Sequence, residues 1–161
     1  MSKFVRIIGF SWASPMTLLG LLYVVLFSAL RWYRYAGQNG DALVWEVDHD
    51  KTPMWVCRSI LFHGGHAIGN VVVTSACVDT VAGRLVLKHE LEHVRQFMTL
   101  GVFQPMLYVL GWLLVKLTCP RANAFYSNPM EAEARRAAGQ LVDVEGALER
   151  LRLQSKKKHV S

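Results

Sequence analysis

The feature of the sequence that most restricts its fold is a run of twenty-four residues without a charged side chain, from Ile7 to Leu30. Its length is close to the ~20 residues that a helix needs to cross a bilayer. The basic and aromatic segment Arg31–Tyr35 follows it, and such segments favour a membrane interface. A cleaved signal peptide is the competing interpretation, but no small-x-small cleavage site follows the run. The sequence therefore predicts an N-terminal membrane anchor.

The strongest chemical signal is the motif His89-Glu90-Leu91-Glu92-His93. On a helix, the two histidines are four residues apart and share one face. Two neutral imidazoles in that arrangement can bind one zinc ion, and Glu90 can accept a proton from a zinc-bound water. The competing interpretation is a solvated amphipathic helix that carries these residues by coincidence. The motif favours the metal site.

The residues around the motif predict a helix from about residue 80 to about residue 99. Asp79 and Thr80 are suitable N-caps, and Gly101 is a suitable end. Four apolar residues repeat at spacings of three and four on a face away from the histidines. They are Leu87, Leu91, Val94 and Met98.

Two histidines and a water leave a tetrahedral zinc ion one protein ligand short. His159 is a poor candidate because it follows three lysines, whose charge opposes a cation. Asn128 followed by Pro129 predicts the start of another helix, which carries Glu131 and Glu133. Helical periodicity leaves both carboxylates open, and Glu131 could instead complete a capping box with Asn128.

Two strings, His89–Gln96 and Tyr126–Ala134, resemble those of the glutamate-type zinc metallopeptidases, or gluzincins. They are similar in particular to a group of small bacterial membrane proteins with one hydrophobic N-terminal segment. The resemblance covers about residues 65–138 and rests almost wholly on the two strings. It implies Glu90 as the general base, and it implies no particular substrate. It also implies three ligands for Zn²⁺, namely His89, His93 and Glu131.

A second apolar run extends from Phe97 to Val115, but Gly101, Gln104 and Pro105 interrupt it. Its uninterrupted helical part, about residues 105–118, would be ~20 Å long, too short for ~30 Å of hydrocarbon. A full crossing here would also separate the two halves of the metal site. We therefore expect a helix that is buried or lies near the membrane interface.

The middle of the chain predicts a small sheet. Residues 36–41 contain two glycines and are typical of a linker, whereas Leu43–Val47 and Ala67–Thr74 are β-type runs that we expect to pair antiparallel. An edge strand of this sheet could hold an extended peptide. His63 and His66 flank two glycines, and we interpret them as parts of an ordinary turn.

Together these patterns predict an α+β fold. It has a mainly helical zincin-like core, made of the HExxH helix and a later glutamate-bearing helix, with a small antiparallel sheet and an N-terminal transmembrane helix. A chain of 161 residues, 52% of them hydrophobic, supports one folded domain besides the anchor. We expect an anchor over residues 1–35, a zincin-like metallopeptidase domain over 36–153, and a basic disordered tail over 154–161.

The cysteines and the net charge exclude some kinds of site and some kinds of partner. Cys57, Cys77 and Cys119 have no CxxC spacing, so they predict neither a disulfide framework nor a cysteine-rich zinc site. The net charge of +6 suggests nucleic acid, but the sequence lacks a basic-aromatic binding module. The tail Arg150–Lys158 suits anionic membrane lipid equally well. We expect lipid contact and no nucleic-acid partner.

The function that the sequence predicts is a membrane-anchored zinc metallopeptidase acting on a peptide or protein. We expect one crossing of the bacterial inner membrane at about residues 8–30, with the catalytic domain in the cytoplasm. Tyr126 or Arg135 could stabilise the oxyanion, and nothing selects between them. One alternative is a membrane-bound zinc scaffold or sensor without catalysis, and another is a metal-free membrane-interaction protein.

Overall fold

A computed structural model describes residues 3–60 and 64–142 of the chain. Within those ranges the fold is α+β, with an apolar N-terminal helix, four further helices and a four-stranded sheet. The predicted basic tail lies outside the described residues. The elements are α1 (Lys3–Ala29), β1 (Tyr33–Asn39), β2 (Ala42–Val47), α2 (Met54–Ile60), β3 (Gly65–Ile68), β4 (Val71–Thr74), α3 (Val81–Leu100), α4 (Gln104–Thr118) and α5 (Pro129–Ala138).

The sheet is mixed, with the strand order β1-β2-β4-β3. β1 pairs antiparallel with β2, and β3 pairs antiparallel with β4, but β2 and β4 are parallel. The expected antiparallel pairing of 43–47 with 67–74 is therefore wrong. The second run is a hairpin of two short strands, which turns at Gly69 with a φ of +61°. Its returning strand, β4, thus lies beside β2 in the same direction.

The segment that resembles a linker is also part of the sheet. Residues 36–39 belong to β1, and the predicted domain boundary after residue 35 falls inside this strand. The β1–β2 register shifts next to Gly37, and Gly40 takes a φ of +57° in the turn between the strands. The two glycines therefore serve a bulge and a tight hairpin turn.

α1 packs along the domain through small residues. Gly9 lies against Met98 of α3, Ala13 is fully buried, and a Cβ added at Gly20 would lie 2.5 Å from a β3 carbonyl oxygen. Thr17 shares a 3.0 Å hydrogen bond with the Asn70 side chain. The apolar helix, the sheet and α3 therefore share one core.

The prediction for α3 is confirmed at both ends. The Thr80 hydroxyl oxygen caps the helix by accepting a 3.0 Å hydrogen bond from the Gly83 N–H. Gly101 ends it with a φ of +57°, and the Trp12 indole lies where a side chain at this position would be. The predicted apolar stripe packs into the core, since Leu87, Val94 and Met98 are buried and Leu91 packs against them.

A 3₁₀ turn at Gly101–Phe103 leads from α3 into α4, whose bounds agree with the predicted helix over about 105–118. α5 begins as predicted, since the Asn128 side chain accepts a hydrogen bond from the Met130 N–H. Two stretches, Arg6–Ala29 and Val81–Thr118, are long and apolar enough to cross a membrane. The second contains the bend at Gly101.

Candidate metal centre

The structure brings together the side chains of His89, His93 and Glu131. The two histidines lie one turn apart on α3, and their Nε2 atoms are 3.2 Å from each other. The first turn of α5 places the Glu131 carboxylate against both, with Oε2 3.2 Å from His89 Nε2 and Oε1 3.4 Å from His93 Nε2. This group, largely hidden from solvent, could hold a metal ion.

These separations suit a small tetrahedral cation. Ligand atoms at about 2.0–2.1 Å from a tetrahedral zinc ion lie roughly 3.3 Å from one another. The three measured separations, 3.2, 3.2 and 3.4 Å, are close to that value. The Glu131 Oε2 atom is also buried, with His89 Nε2 3.2 Å from it. The donor geometry therefore fits a metal ion without rearrangement of α3 and α5.

Two glutamines hold the imidazoles in the orientation that ligation needs. Gln140 Oε1 lies 3.1 Å from His89 Nδ1, and Gln96 Oε1 lies 2.8 Å from His93 Nδ1. A carbonyl oxygen only accepts hydrogen bonds, so each Nδ1 carries the proton. In the neutral histidines, each Nε2 is then free to donate a lone pair to a cation. Sequence reasoning assigned no role to either glutamine.

The charges of this group are those of a cation site in which a proton on a histidine takes the place of the metal ion. Burial alone would raise the pKa of Glu131, but hydrogen bonds from His89 and His93 hold it well below its usual range. Burial alone would lower the pKa of His93, but its hydrogen bond to Glu131 and the charges of Glu131 and Glu90 raise it to about 9. In the metal-free protein, an imidazolium therefore faces a carboxylate.

Glu90 is the second acidic group of the site, after Glu131, and is almost fully buried. Burial raises its pKa to about 7, and the charges of His93 and His89 partly offset this effect. Its Oε2 atom has no hydrogen-bond partner among the described residues. A Cβ added at Gly65 would lie 3.0 Å from the other carboxylate oxygen, so the glycine leaves room for Glu90 against β3.

The alternative ligand Glu133 lies outside the group. It is half exposed, and its carboxylate accepts hydrogen bonds of 2.7 Å from Arg95 and 2.9 Å from the Gln96 side-chain amide. Glu133 therefore supports the residue that orients His93. The capping-box interpretation of Glu131 does not hold either, because the Asn128 N–H donates to the Phe125 carbonyl.

The site faces a cavity of about 430 Å³ between α1, β3, α3 and α4. Tyr108, on α4, lines this cavity and donates a 2.9 Å hydrogen bond to Glu131 Oε1. No pattern in the sequence pointed to Tyr108, because it lies in the apolar run beyond the bend at Gly101. The oxyanion candidates Tyr126 and Arg135 contact each other, with the guanidinium carbon 4.4 Å from the ring centroid, and neither lines the cavity.

His66 lies on β3 and lines the same cavity, rather than forming part of a turn. Both of its ring nitrogens are buried without hydrogen-bond partners in the described part of the chain. Burial lowers the pKa of His66 to about 4, so its imidazole is neutral near pH 7. His63, the other histidine of that segment, lies outside the described residues.

The three cysteines play no part in this centre. Each has a free thiol, and Cys77 and Cys119 are exposed. Comparison with known proteins found no match to the chain among protein-family models, curated proteins or solved structures.

Proposed function

We propose that this chain is a membrane-associated, zinc-dependent peptidase with a zincin-like core. The observation that carries the proposal is the group formed by His89, His93 and Glu131, which faces a cavity beside the buried carboxylate of Glu90. A purely structural site needs no acid beside its first ligand. The Glu90 oxygen, which has no hydrogen-bond partner within residues 3–60 and 64–142, therefore favours a catalytic site over a scaffold or sensor.

Zinc is the metal that these donors favour. Two imidazoles and one carboxylate form the ligand set of a common class of catalytic zinc sites, which keep a fourth position open. Hard cations such as Mg²⁺ and Ca²⁺ prefer oxygen ligands and higher coordination numbers. The ligand separations near 3.3 Å support a tetrahedral ion.

In this proposal, His89, His93 and Glu131 hold the zinc ion. When bound, zinc polarises the substrate carbonyl and makes a water molecule acidic enough to attack near neutral pH. Glu90 accepts a proton from that water and delivers it to the leaving amine as the peptide C–N bond breaks. The water oxygen remains on the new carboxyl group. Burial suits Glu90 to this work because it raises the pKa toward neutrality.

The cavity also suits an extended peptide. All four residues of β3 line it, and β3 is an edge strand with β4 as its neighbour. Backbone groups at a free edge can pair with a peptide that adds as another strand. The hydrogen bond from Tyr108 to Glu131 keeps the carboxylate beside the histidines. Tyr108, which lines the cavity, therefore also supports one of the metal ligands.

The experiment compares two neighbouring glutamates in full-length protein purified in mild detergent without chelator. We expect Glu90→Gln to retain one zinc per chain but to lose about 10²- to 10⁴-fold in peptide hydrolysis, the usual contribution of a general base. Glu92, whose carboxylate accepts a 2.7 Å hydrogen bond from the exposed Arg95, is the matched control. Glu92→Gln should keep both properties.

Metal content separates the remaining possibilities. Loss of a residue that only orients a ligand typically lowers metal affinity by at most about 100-fold. Glu131→Ala should lower the zinc affinity by far more than this, and Glu133→Ala should lower it by less. Wild type that binds zinc but hydrolyses neither an unfolded soluble protein nor a membrane-inserted polypeptide would be a scaffold or sensor. Wild type that binds no zinc would end the proposal.

A further inference from the structure

The outer surface of α4 is apolar. Within the described residues, Gln104 is its one buried residue, and the side of the helix toward the protein is only half-buried. A helix that faced water would carry polar side chains on that outer surface. The exposed large apolar side chains are Met106, Leu107, Val109, Leu110, Trp112, Leu113, Leu114 and Leu117.

α1 exposes a second apolar surface, which is continuous with the first. The Trp12 ring on α1 and the Phe103 ring just before α4 lie 6.0 Å apart, and they join the two surfaces. The other large exposed side chains of α1 are Phe4, Ile7, Ile8, Phe10, Leu18, Leu19, Leu22, Val25 and Leu26. An apolar surface of this extent is typical of contact with a membrane or a protein partner.

Lipid is the occupant that the flanking residues favour. The apolar part of α4 ends at Lys116, whose ammonium lies 6.0 Å from the centroid of the Trp112 ring. The apolar run of α1 ends at Arg31 and Trp32. Basic and aromatic residues at the ends of apolar helices are typical of the boundary between hydrocarbon and headgroups. Both apolar helices thus end in residues that are typical of this boundary.

The metal cavity reaches this apolar surface. Leu19 of α1 and Val109 of α4 both line the cavity, and their residues are 53% and 61% exposed. They therefore form the rim of the cavity and part of the lipid-facing surface at once. The inner wall of the same cavity carries His89 and Glu90.

The depth of the cavity agrees with this geometry. Met16 and Leu19 both line it, and Leu19 lies near the middle of the uncharged run from Ile7 to Leu30. At 1.5 Å per residue, Leu19 is about 17 Å along the helix from either end of the run. If α1 is surrounded by lipid, the rim of the cavity is therefore surrounded by hydrocarbon.

We infer that the substrate is an apolar segment of a polypeptide embedded in the membrane, and that it enters the metal site from the lipid between α1 and α4. This inference rests on the proposed peptidase function and names its substrate class. An apolar segment that unwinds in lipid exposes peptide N–H and C=O groups, which is unfavourable unless they are paired. β3, an edge strand whose four residues line the cavity, could supply those partners.

The first experiment tests the entry route without hydrolysis. Zinc-loaded Glu90→Gln protein is placed in phosphatidylcholine vesicles with a photoreactive amino acid at position 19 or 109. The matched controls carry it at Val25 and Leu114, which are exposed apolar residues of the same helices outside the cavity lining. The probe is a synthetic polypeptide with one apolar span of about 20 residues, the length that crosses a bilayer.

We expect cross-linking at positions 19 and 109 to exceed that at 25 and 114 by about tenfold, and an unlabelled probe to compete for it. Equal cross-linking at all four positions would overturn the inference, because it would indicate random collision in the lipid. No cross-linking at 19 and 109 would overturn it as well. Zinc content is measured for each protein, so that loss of the metal centre is recognised.

The second experiment separates this inference from the peptidase proposal. Wild-type protein is given two membrane-inserted probes, which carry one test sequence either inside the apolar span or in a polar flank outside the bilayer. Cleavage within the span supports the inference. Cleavage in the flank alone overturns it but leaves the peptidase proposal intact. If neither probe is cleaved while positions 19 and 109 still cross-link, the entry route is supported and the peptidase proposal fails.

Discussion

α3 and α4 follow each other along the chain, yet they are organised in opposite ways. α3 buries three polar side chains, Glu90, His93 and Gln96, next to an apolar stripe that packs into the core. α4 buries Gln104 and exposes large apolar side chains over most of its surface. The turn at Gly101–Phe103 separates the two patterns.

The difference shows that the two helices have different surroundings. Buried polar groups are tolerated when they satisfy one another, and on α3 Gln96 accepts from His93 while His93 faces Glu131. Exposed apolar groups cost little free energy only where the surroundings are not water. The protein interior therefore explains the pattern of α3, and lipid, as inferred above, explains that of α4.

The largest expected difference between the two helices is in the quenching of a fluorescent dye by lipid. The dye is attached to single cysteines in a cysteine-free background. A dye at position 110 on α4 should be quenched strongly by brominated lipids. The same dye at position 85 on α3 should be unaffected, although Leu85 is also an exposed leucine. Fluorescence in vesicles with and without brominated lipid gives the measurement. Equal quenching at both positions would remove the distinction between the two helices.

Sequence reasoning succeeded where the determinants are local. The caps Thr80 and Asn128 lie within three residues of the groups they bind, and both were predicted. Helix spacing alone also indicated that His89 and His93 share a face. The choice of Glu131 over Glu133 had a different source, since periodicity left both open and only the family resemblance favoured Glu131.

What the sequence could not show depends on contacts between distant parts of the chain. Tyr108 reaches Glu131 across 23 residues, and Gln140 reaches His89 across 51. No local pattern indicates such a pair. The parallel pairing of β2 with β4 was missed for the same reason, because direction in a sheet depends on how the intervening chain crosses over.

A smaller effect is expected from pH, and it tests whether the polar side of α3 holds a proton in place of the metal. His93 has a pKa raised to about 9 in the metal-free protein, so zinc must displace one proton from it below that pH. Zinc affinity should therefore rise with pH, by close to tenfold per unit well below pH 9 and by roughly 25-fold from pH 7 to 8.5. Competition with a calibrated chelator measures it.

The control for this pH dependence is Glu133→Gln. Glu133 contacts Gln96 and Arg95, and in the described structure it makes no hydrogen bond to His93. The variant should therefore keep the same slope of zinc affinity with pH. A flat dependence in the wild type between pH 7 and 8.5 would mean that His93 is already neutral, and it would contradict the ion pair with Glu131.

The smallest effect is expected at Tyr108, the α4 residue whose hydroxyl bonds to a proposed ligand. Tyr108→Phe keeps the ring in the cavity but removes the 2.9 Å hydrogen bond to Glu131 Oε1. Loss of a group that orients a metal ligand typically costs about 10- to 100-fold in metal affinity. We expect about tenfold here, because a bound zinc ion would itself hold the carboxylate that Tyr108 orients. Tyr126→Phe, outside the cavity lining, is the matched control and should retain wild-type affinity.

If Tyr108→Phe matched the control, α4 would only cover the cavity, and the metal centre would depend on α3 and α5 alone. A tenfold loss confined to Tyr108→Phe would instead make α4, the helix with the exposed apolar surface, part of the metal centre.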